Sequence, residues 1–365
     1  MKATPRVLQV VLSLNPGGTE RLVLELARRL HRELPMAVCC LDAEGAWASE
    51  LTSAGIEVRA LGRPAGFVPS VGSAVAAVAS QHRATVLHCH HYSPFVYGAL
   101  ARLRHPRLKV IYTEHGRLSD APPSRKRRLA NAVFGMLPSA VYAVSRELRE
   151  HLLEEGFSPR LAGVIYNGID VGPQPGHEQR AAIRTQLNVP DDTLVIGTIA
   201  RLDPVKDLGT LITAVALLER PALLVIVGDG PEADALRREA SRVGIDDRVR
   251  FLGQRNDARA WLAGCDVYVN SSISEGVSLT ILEAMAAGLP VVATRVGGTV
   301  EVVDAASGTL VPPRDPRRLA EAIAGLQASP AARRSLGEGA RRRVEAQFTL
   351  DRMVAEYRQV YERLS

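Results

Sequence analysis

Short apolar runs rich in β-branched residues alternate along the whole chain with amphipathic stretches of helical period. In the first half the runs are Val7–Leu12, Met36–Leu41, Ile56–Leu61, Ala84–Cys89, Leu108–Thr113, Ala140–Val144 and Leu161–Ile165. Between them lie segments such as Glu20–Leu30, in which Leu22, Leu26 and Leu30 recur every fourth residue and mark one face of a helix. The second half repeats the scheme with Leu194–Ile199, Ala222–Val227, Val249–Leu252, Val267–Val269, Pro290–Ala293 and Thr309–Val311. Strands separated by helices of this length predict βαβ units and a parallel sheet, because parallel neighbours need a crossover that a helix supplies.

Between Asp170 and Asp192 the chain turns polar and rich in Pro and Gly (Gly172-Pro173-Gln174-Pro175-Gly176), which predicts an interdomain linker. No repeat of fixed period is visible. The expected architecture is α/β: two Rossmann-like domains facing across a cleft, residues 1–172 and 190–345. A last helix, 346–365, carries Met353, Val354, Tyr357, Val360 and Tyr361 along one stripe. Ligands of such sheets bind outside the carboxyl ends of the strands, so the chemistry is sought in the loops that follow strands.

Composition narrows the class. The 365 residues are two domains' worth at roughly 150 per domain, and 46% hydrophobic residues exclude a disordered or fibrous chain. No apolar run reaches the roughly 18 residues a membrane helix needs; Leu279–Ala293 is broken by Glu283 and Pro290. Cys39, Cys40, Cys89 and Cys265 have no framework spacing and read as buried free thiols of a reducing cytosol. The net charge of +6 is local. Residues 1–175 hold 21 basic and 14 acidic side chains (21 − 14 = +7), and the remainder 24 and 25 (−1). Arg102–Arg128 alone has nine basic residues against Glu114 and Asp120. That pattern implies one basic surface, not a general polyanion coat.

Four post-strand loops carry candidate chemistry. Asn15-Pro16-Gly17-Gly18-Thr19-Glu20 opens a helix after the first strand, where glycines let backbone approach a phosphate or sugar, or simply form a turn. Its spacing is not G-x-G-x-x-G, which argues against a nicotinamide dehydrogenase. Ala200-Arg201-Leu202-Asp203-Pro204-Val205-Lys206-Asp207 places two cations across a Pro-containing turn before a helix, suited to a diphosphate or to a solvated loop. Gly228-Asp229-Gly230-Pro231 suits a pocket wall or a tight turn. In Asn270–Pro290, Glu275 precedes a helix whose first amides, Val277, Ser278, Leu279 and Thr280, can meet an anion, and Glu283 follows two turns later. Two acids beside a phosphate site repel it unless they address hydroxyls, and a nucleotide sugar offers hydroxyls at both ends with a diphosphate between.

Ser274-Glu275-Gly276 followed by Leu282-Glu283-Ala284-Met285-Ala286-Ala287-Gly288-Leu289-Pro290 resembles the E-x7-E signature of the family-four retaining glycosyltransferases, which have the GT-B fold. Gly17-Gly18, Thr113-Glu114-His115-Gly116, Asn167-Gly168-Ile169-Asp170, Arg201…Lys206, Gly228–Pro231 and Val296-Gly297-Gly298 extend the resemblance over nearly the whole chain. The resemblance implies that Arg201 and Lys206 hold the donor diphosphate and Glu283 the ribose hydroxyls. It places Glu275 on the transferred sugar, Gly17-Gly18 closing on the donor, and His115 beside the reacting sugar. It implies no metal and no cofactor, and it lets the last helix cross back onto the first domain. Where many members carry Glu-Pro-Phe-Gly, this chain has Glu275-Gly276-Val277-Ser278, which leaves the donor sugar open. The Ser-Ile-Ser-Glu-Gly form looks most like bacterial exopolysaccharide or lipopolysaccharide transferases. The expected reaction moves a sugar, most simply from a UDP-sugar, to a glycan or lipid-linked acceptor. An epimerase, a phosphorylase or a non-catalytic sugar-nucleotide-binding protein are the alternatives.

His88-Cys89-His90-His91 invites a metal, but strand residues alternate in direction, so the four side chains do not converge on one ion. Arg125, Lys126, Arg127 and Arg128 precede Leu129, Val133 and Leu137 at helical spacing. They read as a solvated helix end, an acceptor groove, or a dock for anionic headgroups on the inner face of a cytoplasmic membrane. Nucleic acid fits poorly, because no aromatics interleave with the run and no recognition motif is present.

Overall fold

The structure is a computed structural model that describes residues 4–116 and 125–364; of Arg125 and Lys126 it describes the backbone. The chain forms two compact units, one running to Gly168 and resuming at Asp351, the other Ile169–Leu350. In the first unit β1 (Val7–Val11), β2 (Met36–Cys40), β3 (Glu57–Ala60), β4 (Val86–His90), β5 (Lys109–Glu114), β6 (Ala140–Ala143) and β7 (Ala162–Val164) build one sheet. Its order is β3-β2-β1-β4-β5-β6-β7, and every pairing is parallel. In the second unit β8 (Leu194–Ile199), β9 (Ala222–Val227), β10 (Val249–Phe251), β11 (Val267–Asn270), β12 (Val291–Thr294) and β13 (Gly308–Val311) run parallel in the order β10-β9-β8-β11-β12-β13.

The strands are nearly continuous apolar runs because helices cover both faces of a parallel sheet. β1, β2 and β4 are buried at every position. In each sheet the strand order reverses beside the first strand, between β1 and β4 and between β8 and β11. A crevice opens at the carboxyl ends of the strands at such a reversal. The loops after β1, β4, β8 and β11 are therefore the places where each unit can hold a ligand.

The segment expected as a linker is built differently. Residues His177–Leu187 form a helix of the second unit, with Ile183, Arg184 and Leu187 buried. Its polar composition misleads because the key contact is polar. The Arg184 side chain, 3% exposed, reaches Asp266 at 3.2 Å and the carbonyls of Pro190 at 2.5 Å, Thr193 at 2.8 Å and Gly264 at 3.3 Å. Asp266 in turn accepts from Arg180 at 2.6 Å and from the backbone of Val195, the second residue of β8, at 2.8 Å.

The closing helix, Leu350–Leu364, buries Met353, Val354, Tyr357, Val360 and Tyr361, and from Asp351 it belongs to the first unit. All four cysteines are buried and free, and burial pushes the Cys39 thiol up to about 12. Among the described residues no helix is long and apolar enough to cross a membrane.

Removing one partner of a buried ion pair strands the other charge and its carbonyl acceptors. Arg184→Met is therefore expected to destabilise the second unit by about 3 kcal/mol or more. Scanning calorimetry of the full chain checks this; an unchanged unfolding profile would show that the helix contributes nothing to the unit.

Candidate active site

The first unit's site grows from three neighbouring strands. Gln9 lies in the middle of β1, opposite His88 of β4, and is fully buried. Neighbours in register share a face, as do residues two apart on one strand, so Gln9, His88 and His90 point the same way. The closing helix brings Tyr357 and Tyr361 to that face. The Gln9 Nε2 donates to Tyr361 Oη at 3.1 Å, and His88 Nδ1 lies 2.7 Å from the same hydroxyl. His88 Nε2 is 2.8 Å from Thr113 Oγ1, which is 3.2 Å from Tyr357 Oη. Gln9 Oε1 meets His90 Nε2 at 2.7 Å, and His90 Nδ1 meets His115 Nε2 at 2.9 Å. The His88 and His90 ring centroids lie 4.0 Å apart with the rings tilted by 38°.

His91 turns the other way. Its φ of 71° is a strained value for a residue with a Cβ, and it aims the ring at Glu114, 2.9 Å from Nδ1, and Thr19, 2.9 Å from Nε2. Through Thr19 the Gly17-Gly18 loop joins the cluster, because the helix Gly18–Leu30 starts there. Glu20 folds back over Gly17: a Cβ at residue 17 would lie 2.2 Å from Glu20 Oε2 and would push that carboxylate aside. Glu114 also accepts from Tyr112 Oη at 2.5 Å.

Burial, reinforced by the charge of neighbouring imidazoles, holds His88, His90 and His115 well below the usual histidine range. Burial would do the same to His91, but the hydrogen bond and charge of Glu114, with Glu20, outweigh it and raise His91. Glu114 is lowered in turn: its burial is outweighed by His91, Tyr112 and Arg127. The site thus sets a charged His91–Glu114 pair beside a chain of neutral rings.

In the second unit the loop after β8 and the loop after β11 are laced together. Ile273 N donates to Val205 O at 2.9 Å, and Ser271 Oγ to Lys206 O at 2.9 Å. This brings Lys206 Nζ to 2.6 Å from Glu275 Oε1, which also accepts from Ser272 Oγ at 2.8 Å and Asn270 Nδ2 at 3.2 Å. Two glycine-bearing turns shape the loops. Gly228, at φ 134°, lies where a Cβ would sit 1.9 Å from Ala200 O, so the turn after β9 supports the loop of Arg201. Gly297 is placed the same way under Glu275 O. The helix Leu279–Ala286 starts at Ser278, which gives it no side-chain cap. The first amides of a helix find no partner within it and favour anions. Tyr268, a fully buried residue of β11, donates to Thr280 or Ile199 O at 2.8 and 3.2 Å. Burial raises its hydroxyl, and the charges of Glu275 and Glu283 add to the shift.

The structure thus brings Lys206 to Glu275, Thr280 to Tyr268, and His115 to His90. Arg201 stands apart: its side chain is 75% exposed, 3.7 Å from Asp203. The basic run also divides. The side chains of Arg125 and Lys126 lie outside the described residues. Arg128 is exposed. Arg127 departs from a solvated helix end: it lies 2.9 Å from the Glu155 carboxylate and 4.1 Å over the Tyr92 ring, and so is engaged within the unit. Gln9 and Tyr268 were not singled out in the sequence, His90 and His91 were weighed there only as part of a His-rich strand end, and Tyr361 only as part of an apolar helix stripe. A glutamine inside the otherwise apolar run Val7–Leu12 was the available signal.

Two parallel α/β units, each with its candidate side chains in or beside the loops that follow its strands, define the GT-B class of sugar-transferring enzymes. The family model "Glycosyltransferase Family 4" matches residues 16–172, and "Glycosyl transferases group 1" matches residues 179–343. The chain belongs to this glycosyltransferase family. It is 30% identical to the D-inositol 3-phosphate glycosyltransferase of Kribbella flavida, over 77% of this chain and 72% of that one. It is 29% identical to the N-acetyl-alpha-D-glucosaminyl L-malate synthase of Bacillus anthracis, over 80% and 78%. Among solved structures it is similar to Anabaena HepE in complex with UDP and glucose: TM-score 0.88, 26% identity, covering 98% of this chain and 99% of that one.

The neutral rings make stability depend on acid. Histidines lowered in the fold take up protons in the unfolded chain first, so their contribution is present above the ordinary value of 6.5 and lost as pH falls below it. His91, raised, acts oppositely and only above 6.5. Between pH 6.5 and 5.5, where an ordinary histidine becomes protonated, His88, His90 and His115 all withdraw stability in the same direction. The melting midpoint should fall over that interval, and His90→Gln should shallow the slope. An equal slope in the variant would show that His90 does not titrate this way.

Proposed function

We propose that the chain transfers a sugar from a UDP-sugar to a hydroxyl of a glycan or lipid-linked acceptor in cell-surface polysaccharide assembly, with retention of configuration at the anomeric carbon. The Lys206–Glu275 pair carries this reading. A lysine aimed at a carboxylate, beside uncapped helix amides, offers a diphosphate a cation and a sugar an acceptor for its hydroxyls within one small volume. In this reading Lys206, Arg201 and the amides of Val277, Ser278, Leu279 and Thr280 take the charge that develops on the leaving diphosphate. Glu283 binds the ribose hydroxyls and Glu275 the transferred sugar, while His115, in the first unit, addresses a sugar hydroxyl. Arg201, exposed and 3.7 Å from Asp203 of its own loop, turns inward when the anion arrives. The bond from the anomeric carbon to the diphosphate breaks as the acceptor oxygen attacks the same face, and the departing phosphate oxygen takes the acceptor's proton. No side chain is assigned as general base. The binding of UDP and glucose by HepE supports uridine as the donor base.

Lys206→Ala and Glu275→Gln should each lower kcat/KM for transfer by 10²–10³-fold, the scale of a lost charge-stabilising contact. Rates unchanged in both would remove these residues from the site. Incubation with UDP-, GDP- and ADP-sugars, followed by NMR of the product anomer, tests donor and stereochemistry; conversion of donor without acceptor would identify an epimerase instead.

The acceptor side of this reading includes an anionic membrane. On and after the helix Arg125–Phe134, Leu129, Val133 and Met136 are 74%, 60% and 75% exposed, spaced as one helical stripe beside exposed Arg128. Apolar side chains below a basic helix end suit the headgroup boundary of a bilayer rich in phosphatidylglycerol, where each basic residue adds about 1 kcal/mol. Replacing Leu129, Val133 and Met136 together by Gln should abolish co-sedimentation with such vesicles and spare transfer to a water-soluble acceptor. Undiminished sedimentation would overturn membrane docking.

A further inference from the structure

The buried chain of hydrogen bonds in the first unit has a direction. Tyr361 has one hydroxyl proton and two partners. Because Gln9 Nε2 donates to its oxygen, the hydroxyl proton goes to His88 Nδ1, and His88 carries its own proton on Nε2, toward Thr113. On the other side Gln9 Oε1 can only accept, so His90 donates from Nε2 and, being neutral, presents a lone pair at Nδ1. His115 must then supply the proton between the two rings from its Nε2. Its Nδ1 is left as a bare lone pair, buried and without a partner among the described residues. Turning the Gln9 amide over would reverse every bond and end the chain on an unpaired N–H at His115. A buried N–H without an acceptor is rarer and costlier than a lone pair without a donor.

We propose that Tyr361, acting through Gln9 and His90, is a positioning residue that fixes His115 as the Nε2–H tautomer and so keeps His115 Nδ1 as an acceptor for a sugar hydroxyl. The closing helix then belongs to the machinery of the site, because its hydroxyl orients the amide that orients the rings. The functional half of this inference rests on His115 facing the sugar; the tautomer itself does not.

The test is ¹⁵N NMR of the histidine-labelled full chain, with the His115 signals assigned from their absence in His115→Gln. The wild type should show a protonated Nε2 and an unprotonated Nδ1. Tyr361→Phe frees the amide to turn and should populate the Nδ1–H form. Gln9→Glu makes His90 donate from both nitrogens and should drive His115 fully to Nδ1–H, with kcat for transfer reduced at least tenfold and KM for the donor changed less. A wild-type His115 protonated on Nδ1, or one tautomer throughout the folded variants, overturns the relay. An inverted tautomer with undiminished kcat overturns the role of Nδ1 in sugar binding. The wild-type spectrum needs no substrate and no variant, so it decides the relay even where a variant fails to fold or no donor is turned over.

Discussion

The hydrogen bond between Gln9 and Tyr361 joins residues 352 apart in the chain. A primary amide at the centre of a buried strand costs a few kcal/mol unless its donor and its acceptor are both engaged. The closing helix satisfies one side and His90 the other. The order of this buried chain of side chains follows from that requirement. With Gln9 engaged on both sides, His90 is oriented; with His90 oriented, His115 is held at the end of β5 rather than free to rotate. Polar residues buried at the ends of strands are tolerable only as a connected set, and such sets hold geometry more tightly than apolar packing does.

The second unit holds opposite charges in direct contact at the edge of its sheet. Lys206 and Glu275 come from loops after β8 and β11, the two strands that flank the reversal of strand order. Those loops are joined by backbone and hydroxyl hydrogen bonds and supported by close-packed glycines at 228 and 297. In their 2.6 Å contact each charge satisfies the other. In the proposed reaction a diphosphate competes for the lysine and a sugar hydroxyl for the carboxylate, so charge moves among partners already in place with little reorganisation.

Charge balance read from composition pointed to a basic surface between Arg102 and Arg128, and the structure divides that charge. Arg127 is held by Glu155, Glu114 and the Tyr92 ring. It therefore ties the helix Arg125–Phe134 to the same Glu114 that holds His91. Arg128 stays outside with Leu129, Val133 and Met136. The apolar half of that surface is as prominent as the basic half, and a count of charges cannot register it.

The alternation of apolar runs with helical periods determined both parallel sheets, and the thirteen strands among the described residues lie where that alternation places them, because period and burial are local properties of the chain. The loops that carry Lys206, Glu275 and His115 were legible for the same reason: a parallel sheet delivers its post-strand loops to one edge. Helical order in residues 177–187 was not legible, since Arg184 is buried only by virtue of partners as distant in sequence as Asp266. Nor was the outward position of Arg201 against the paired position of Lys206, five residues on. Tyr361 and Gln9 read as a core aromatic and a stray polar residue until the fold brings them together. Hydrogen bonding of buried side chains is decided by which strands and helices meet, and in this protein that meeting spans nearly the whole chain.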